Sequence, residues 1–169
     1  MKQNNFSYRE GSRIDLEQLQ QLAIASYSPF SKVLSAENWS ILSSYVNDRH
    51  NFADLLSKGK CFVCESKDRI IGAAYIIPRG NPWDVFKAEW SYIRMVGVDP
   101  ACQGRGIAKS LTRLCIDYAA KTGEGTIALH TSEFMDAARH IYESMGFKIL
   151  QEIAPRYGKK YWLYTLSLE

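Results

Sequence analysis

Histidine is scarce in this chain. His50, His130 and His140 share no ligand spacing, and the four cysteines (Cys61, Cys64, Cys102, Cys115) supply no second pair to complete a tetrahedral zinc set. Cys61-Phe62-Val63-Cys64 has the letters of a redox or zinc motif, but Cys61 to Glu65 reads as a strand, where residues three apart point to opposite faces. No metal is expected. No apolar run reaches membrane-spanning length, and Met1-Lys2-Gln3-Asn4-Asn5 lacks the apolar core of a signal peptide. The expectation is a cytoplasmic chain with no membrane partner. A surplus of one charge is also missing: 21 basic against 18 acidic residues leave +3, too even a balance for a nucleic-acid partner. Repeats, low-complexity tracts and Gly/Ser linkers are absent, so residues 1–169 read as one domain. At 46% hydrophobic residues it can bury a core.

What is present is a strand, a glycine-bearing loop and a helix in succession. Tyr92 to Val98 reads as a strand, ended by Pro100, which cannot donate to a sheet ladder. Ile107, Leu111, Leu114, Cys115, Tyr118 and Ala119 then recur at helical spacing. Between them lies Gln103-Gly104-Arg105-Gly106-Ile107-Ala108. A helix start exposes unpaired N–H groups at the positive end of a dipole, and glycines let an anion approach them unobstructed. This is a phosphate-binding geometry. It is neither a Walker loop, since no Gly-Lys-Ser/Thr follows, nor the dinucleotide G-x-G-x-x-G pattern, so a nucleotide switch is disfavoured.

The loop resembles the Q/R-G-x-G-x-G/A motif of the GNAT superfamily of N-acetyltransferases. Downstream, Ala138-Arg139-His140-Ile141-Tyr142-Glu143-Ser144-Met145-Gly146-Phe147 is similar to that family's N-x-x-A-x-x-x-Y-x-x-x-G-F segment, with Met135 in the Asn slot. The resemblance is strong from Tyr92 to Phe147 and rests on element order elsewhere. It implies a single-domain α/β (α+β) GNAT fold. Its mixed central sheet of six to seven strands would be flanked by helices and splayed at the acetyl-CoA-binding strand. It also implies an acyltransferase moving an acetyl group from acetyl-CoA to a primary amine of a small molecule or peptide, by direct attack in a ternary complex. A non-catalytic acyl-CoA-binding or regulatory protein on the same fold is the alternative. Oligomeric state stays open, a homodimer included.

The order of elements agrees with that layout. Phe6 to Arg9 reads as a first strand, and Asp15 and Ser35 cap two helices, with a short third over Phe52 to Leu56. Cys61 to Glu65 and Ile70 to Ile77 read as a hairpin turned at Lys67-Asp68. Trp83 to Lys87 is ambiguous, and Glu89 to Val98 reads as the next strand. The long helix ends near Thr122-Gly123. A strand over Thr126 to Thr131, a helix over Phe134 to Met145, and strands over Phe147 to Glu152 and Tyr161 to Leu168 follow, the last two joined through Pro155-Arg156-Tyr157-Gly158.

By resemblance, Gln103, Gly104, Arg105, Gly106, Ile107 and Ala108 hold the cofactor diphosphate, and the backbone of Met95, Val96 and Val98 holds its pantetheine arm. Met135, Ala138 and Tyr142 lie at the thioester. Gly97 permits a bulge or a close backbone approach. Arg105 and Lys109 read equally as phosphate partners or as solvated cations. Tyr142 is the leading catalytic residue, since a phenol near ~10 can hydrogen-bond a leaving thiolate near ~8.5. An amine near ~10.4 must lose a proton, and the slot where many family members carry Glu holds Tyr92. Glu89, Glu65, His130 or a water chain are the other routes. Tyr27, Phe30, Trp83, Phe86, Trp90 and His130 are candidates to line the acceptor pocket, where aromatic walls favour a partly apolar or cationic amine.

Overall fold

The run Arg69-Ile70-Ile71-Gly72-Ala73-Ala74-Tyr75-Ile76-Ile77 is apolar after its first residue, as a strand covered on both faces must be. It sits third in one seven-stranded sheet. The computed structural model describes residues 5–169; the polar run at residues 1–4, which carries most of the signal-peptide reading, lies outside them. The strands are β1 (Ser7–Gly11), β2 (Lys60–Ser66), β3 (Arg69–Ile77), β4 (Ser91–Val98), β5 (Thr126–Ser132), β6 (Lys148–Arg156) and β7 (Lys159–Ser167). Their order across the sheet is β1-β2-β3-β4-β5-β7-β6, and only β4 and β5 run parallel. The β2–β3 turn falls at Lys67-Asp68 as expected, both at positive φ, the conformation that matches strand twist.

Among the described residues five α-helices cover the sheet: α1 (Leu16–Tyr27), α2 (Ala36–Asn47), α3 (Arg49–Lys58), α4 (Ile107–Lys121) and α5 (Asp136–Ser144). Leu19, Leu22, Val46, Phe52 and Leu55 from the first three pack on one face. Ile107, Leu111, Cys115, Ala119 and Tyr142 from α4 and α5 pack on the other. Cys61 belongs to the first core and Cys64 to the second, so the C-x-x-C pair points to opposite faces and both thiols are free and buried.

The mixed sheet is splayed, as expected, between β4 and β5. They pair only at Ser91 with Ile127 and Tyr92 with Ala128, and then part. On its other edge β4 carries one residue more than β3: Tyr75 pairs Arg94 and Ala73 pairs Gly97, so three steps on β4 oppose two on β3. Such a bulge bends the strand and raises its twist. The residue that takes the strained conformation is Met95, at φ +54°, rather than Gly97. Gly97 serves the close approach instead, since a Cβ there would stand 2.7 Å from Ser26 Oγ on α1.

Three boundaries differ from expectation. Glu89 lies in an exposed turn closed by the Trp90 N–H on the Lys87 carbonyl (3.1 Å), so β4 begins at Ser91. Pro155 does not end its strand: β6 is an edge strand and bulges between Ile153 and Arg156, where a missing N–H costs no ladder bond. Asp15 stands at the start of α1 but does not cap it. Its carboxylate accepts from the Ser12 N–H (2.8 Å) and pairs with Arg9, whose guanidinium holds it below the usual carboxylate range.

A side chain at Gly59 would place Cβ 2.3 Å from the Ile76 carbonyl oxygen, which backbone cannot yield, whereas Ser26 Oγ opposite Gly97 can rotate away. Gly59→Ala should cost about 2–4 kcal/mol and Gly97→Ala about 1 kcal/mol. Urea unfolding of both variants checks this; equal losses would contradict the packing described.

Candidate functional site

Because β4 leaves β5 after Tyr92, the sheet has a gap, and a cavity of about 310 Å³ runs through it. Its wall includes Tyr27, Tyr45, Met95 and Tyr161 from the α1–α3 side and Ile93, Val96, Ala138 and Tyr142 from the α4–α5 side. The cavity therefore joins the two faces of the sheet.

The loop that leads from β4 into α4 suits a diphosphate. Asp99 fixes the loop entrance: its N–H donates to Ile71 (2.8 Å), its Oδ1 accepts from the Ala101 N–H (2.9 Å), and its Oδ2 pairs with Arg69 at 3.2 Å. Gly104 and Gly106 follow at φ +76° and +78°, and the space where a Cβ would stand is open at both. Gly106 is the N-cap of α4, so the first amides of a 15-residue helix face outward beside a cleared approach. The Ile107 side chain is buried beneath them; Gln103, Arg105 and Lys109 are exposed around them. Beyond Tyr92, the edge of β4 that faces the gap has no strand partner, leaving room for an extended arm of amides against Met95 and Val96. These are the properties a coenzyme A binding site needs.

Tyr142 lines the cavity from α5 and is 7% exposed. Burial, reinforced by Tyr27 and Cys115, raises its phenol well above the ordinary range, so it keeps its proton at any physiological pH. Met135 and Ala138 stand beside it, and Thr131 Oγ1 donates to Met135 Sδ at 3.6 Å. Tyr27, pushed up to about 12 by burial, donates to Met95 Sδ at 3.8 Å.

On the α1–α3 side the wall is aromatic and carries four ionisable groups besides its tyrosines: Asp84, Arg94, His130 and Arg156. Asp84 sits at φ +51° in a two-residue turn closed by mutual backbone bonds between Trp83 and Phe86. Arg156 holds both its oxygens at 2.6 and 2.7 Å. His130 Nε2 is 3.6 Å from Asp84 Oδ2, too far for a hydrogen bond, and is buried without a partner. The ring stacks on Phe86 at 5.2 Å. Burial first, then Arg156, with Arg94 adding, lowers its pKa to about 4 against the pull of Asp84, so it is neutral at pH 7.

The sequence-predicted residues divide accordingly. Tyr27, Trp83, Met95, Val96, His130, Met135, Ala138 and Tyr142 meet at the cavity. Val98 is buried further along β4. Tyr92 and Glu89 are not in the cavity wall: the Tyr92 hydroxyl donates to the Asn81 carbonyl at 2.9 Å and its ring stacks on Phe86, while Glu89 is exposed in its turn. Glu65 pairs with Arg9 at the β1–β2 edge of the sheet. Phe30 packs edge-on between Tyr27 and Phe134, and Trp90 lies under Lys87, so neither lines the cavity. Sequence reasoning missed Tyr45, Asp84, Arg94, Arg156, Tyr157 and Tyr161. Only Arg94 carried a signal: a lone charge within an apolar strand.

The model of the acetyltransferase (GNAT) family matches residues 16–147. Human N-acetyltransferase 8B is 32% identical over 91 residues, 53% of this chain and 39% of that protein. Mycothiol acetyltransferase of Gordonia bronchialis is 33% identical over 93 residues, 46% of this chain and 30% of that protein. The chain thus spans less than half the length of these curated relatives. In fold it is similar to the PaiA N-acetyltransferase of Thermoplasma acidophilum in complex with coenzyme A, at a TM-score of 0.77 and 15% identity, over 96% of this chain and 99% of that one. Among the described residues no helix is long and apolar enough to cross a membrane, and no cluster of metal-ligating side chains occurs.

His130 makes stability depend on pH. Above its ordinary value of 6.5 the imidazole is neutral folded or unfolded and contributes no penalty. Between 6.5 and about 4 the unfolded chain takes a proton that the folded one refuses, so stability falls as pH falls. The loss should be on the order of 2–3 kcal/mol, and His130→Asn should remove it. Urea unfolding across this range checks the difference; parallel profiles for the two proteins would contradict it.

Proposed function

The chain belongs to the GNAT acetyltransferase family, and from that premise we propose that it transfers an acetyl group from acetyl-CoA to a primary amine by direct attack in a ternary complex. The observation that carries this reading is the passage through the sheet. A proton-holding phenol and an aromatic wall with a neutral imidazole line it, and a helix start with two left-handed glycines follows the end of β4, the strand that borders the gap. Acetyl-CoA, when bound, supplies an acetyl group already activated as a thioester.

The chain's own residues then divide the work. Main-chain amides from Gly104 to Ala108 would hold the diphosphate, with Gln103 beside them and Arg105 and Lys109 as exposed supplementary charge. The free edge of β4 at Met95 and Val96 would align the pantetheine arm, leading from Val98 toward the gap. Tyr142 offers its O–H as a donor to a developing sulfur anion. Its raised pKa means that it hydrogen-bonds rather than ionises, and burial strengthens that bond. The acceptor amine would meet Tyr27, Trp83 and His130 on the α1–α3 side. His130, neutral and with an unpaired Nε2, can accept a hydrogen bond from it, though an imidazole near 4 is a poor sink for an ammonium proton. Water is the remaining carrier on this reading.

One observation favours a second reading, a non-catalytic acyl-CoA-binding protein. Tyr92 and Glu89 contribute no carboxylate to the cavity, and Asp84 is tied to Arg156. A panel assay of CoA thiol release over diverse amines separates the two: binding without release from any amine favours the second.

Tyr142→Phe should lower kcat about 10–100-fold while leaving acetyl-CoA affinity within about 3-fold, measured by stopped-flow thiol release and calorimetry. Unchanged kcat would remove Tyr142 from the chemistry. Gly106→Glu should abolish acetyl-CoA binding through like charge at the helix start; the added Cβ meets open space but is strained at φ +78°, and circular dichroism checks that the fold survives that local cost. Retained binding would place the diphosphate elsewhere.

A further inference from the structure

The chemistry above leaves three charges of the cavity unused, and of these Asp84 and Arg156 neutralise each other while Arg94 stands apart. Its Cζ lies 3.8 Å from the centroid of the Trp83 indole, and Nη2 donates to the Tyr45 hydroxyl at 2.9 Å. These contacts fix the guanidinium in the cavity wall, half-buried, yet neither partner is anionic. Among the described residues Arg94 forms no ion pair, whereas Arg156 is neutralised by Asp84. His130 is neutral, so the cavity carries one unbalanced positive charge. That charge is permanent, and holding it unpaired in a partly water-excluded wall is unfavourable. A planar fork held by an indole face and a phenol leaves its remaining N–H groups available for a carboxylate, the anion its geometry matches.

The position is equally informative. Arg94 immediately precedes Met95, the residue at which β4 bulges. A strand alternates its faces, but the bulge turns Met95 to the same side as Arg94, so both line the cavity. An anion on Arg94 would therefore sit about one residue from where the acceptor meets the acyl group. A peptide N-terminus has only a neutral amide at that distance from its amine; a free amino acid has a carboxylate.

Resting on the acetyl-transfer reading, we infer that the acceptor is a free α-amino acid, its carboxylate held by Arg94 and an apolar side chain packed against Tyr27, Tyr157 and Tyr161. The aromatic wall and the cavity of about 310 Å³ suit one such residue.

Two measurements test this. Calorimetry on the CoA-loaded protein compares N-acetylleucine and N-acetylphenylalanine with their carboxamides. The acids should bind about 10–100-fold tighter. Arg94→Gln should bring acid and amide within about 3-fold of each other, and Arg94→Lys, a point charge without the fork, should fall between. Unchanged acetyl-CoA affinity in both variants certifies their fold. In the kinetic arm, leucine and phenylalanine should exceed their amides in kcat/KM by a similar factor, carried by KM. Acid and amide bound alike, or neither bound, overturns the inference, as does an acid preference that survives Arg94→Gln. An Arg94-dependent acid preference without turnover of any amine would overturn the acetyl-transfer reading alone and support the carboxylate site.

Discussion

One extra residue in β4 is the constraint on which the site depends. Opposite β3, the strand makes three steps where its partner makes two, and Met95 absorbs the excess in a left-handed conformation. For a residue with a side chain that conformation costs roughly 1–2 kcal/mol, so the surroundings must hold it. Packing against the α1-side core and the Tyr27 hydroxyl on its sulfur do so. Two consequences follow. The strand bends away from β5 after two pairs, which opens the sheet. Its side-chain alternation also slips by one, which puts Arg94 and Met95 on one side and Val96 on the other. A regular strand would have paired further along β5 and sent Met95 beneath α4.

The gap separates two electrostatic tasks. At the start of α4, positive potential comes from backbone dipoles and the exposed cations Arg105 and Lys109, where water screens long-range effects and short amide contacts dominate. On the opposite face the charges are fixed and partly shielded. Asp84 cancels Arg156, His130 is held neutral, and Arg94 alone is uncompensated. In that less polar wall a single guanidinium acts at longer reach than it would in water.

The part of the candidate site proposed to hold the cofactor was legible in the sequence because it is local. The Gly104–Gly106 loop, the helix behind it and Tyr142 on α5 are each specified by spacing within one segment, and the hairpin and opposed cysteines followed from strand geometry. The part proposed to meet the acceptor is assembled from distant pieces. Arg94 comes from β4, Tyr45 from α2, Asp84 from a turn with no periodicity, and Arg156 and Tyr157 from the end of β6, where Pro155 suggested a connection rather than an edge-strand bulge. No window of sequence holds two of these partners except Arg156 with Tyr157. Glu89 illustrates the same limit: counted back along an ideal strand it shares a face with Ile93, but the strand starts at Ser91 and the count does not apply.

Tyr92 shows how the absence of a carboxylate from β4 is accommodated. At 3% exposure, with an aromatic ring stacked on it, a carboxylate at that position would be buried, a costly arrangement that the charges of Arg94 and Lys58 would offset only in part. The phenol instead donates to the Asn81 carbonyl and supports Phe86 at 4.5 Å, and Phe86 in turn stacks on His130. The position therefore contributes geometry rather than charge: a column of three rings fixes the imidazole at the cavity wall. The cavity's carboxylate comes from Asp84, in the turn that ends at Phe86, and its pairing with Arg156 ties the β6–β7 hairpin to the same wall. Substituting a glutamate at residue 92 alone would thus not give this cavity a base. It would remove the support of Phe86 and His130 while leaving Asp84 as neutralised as before.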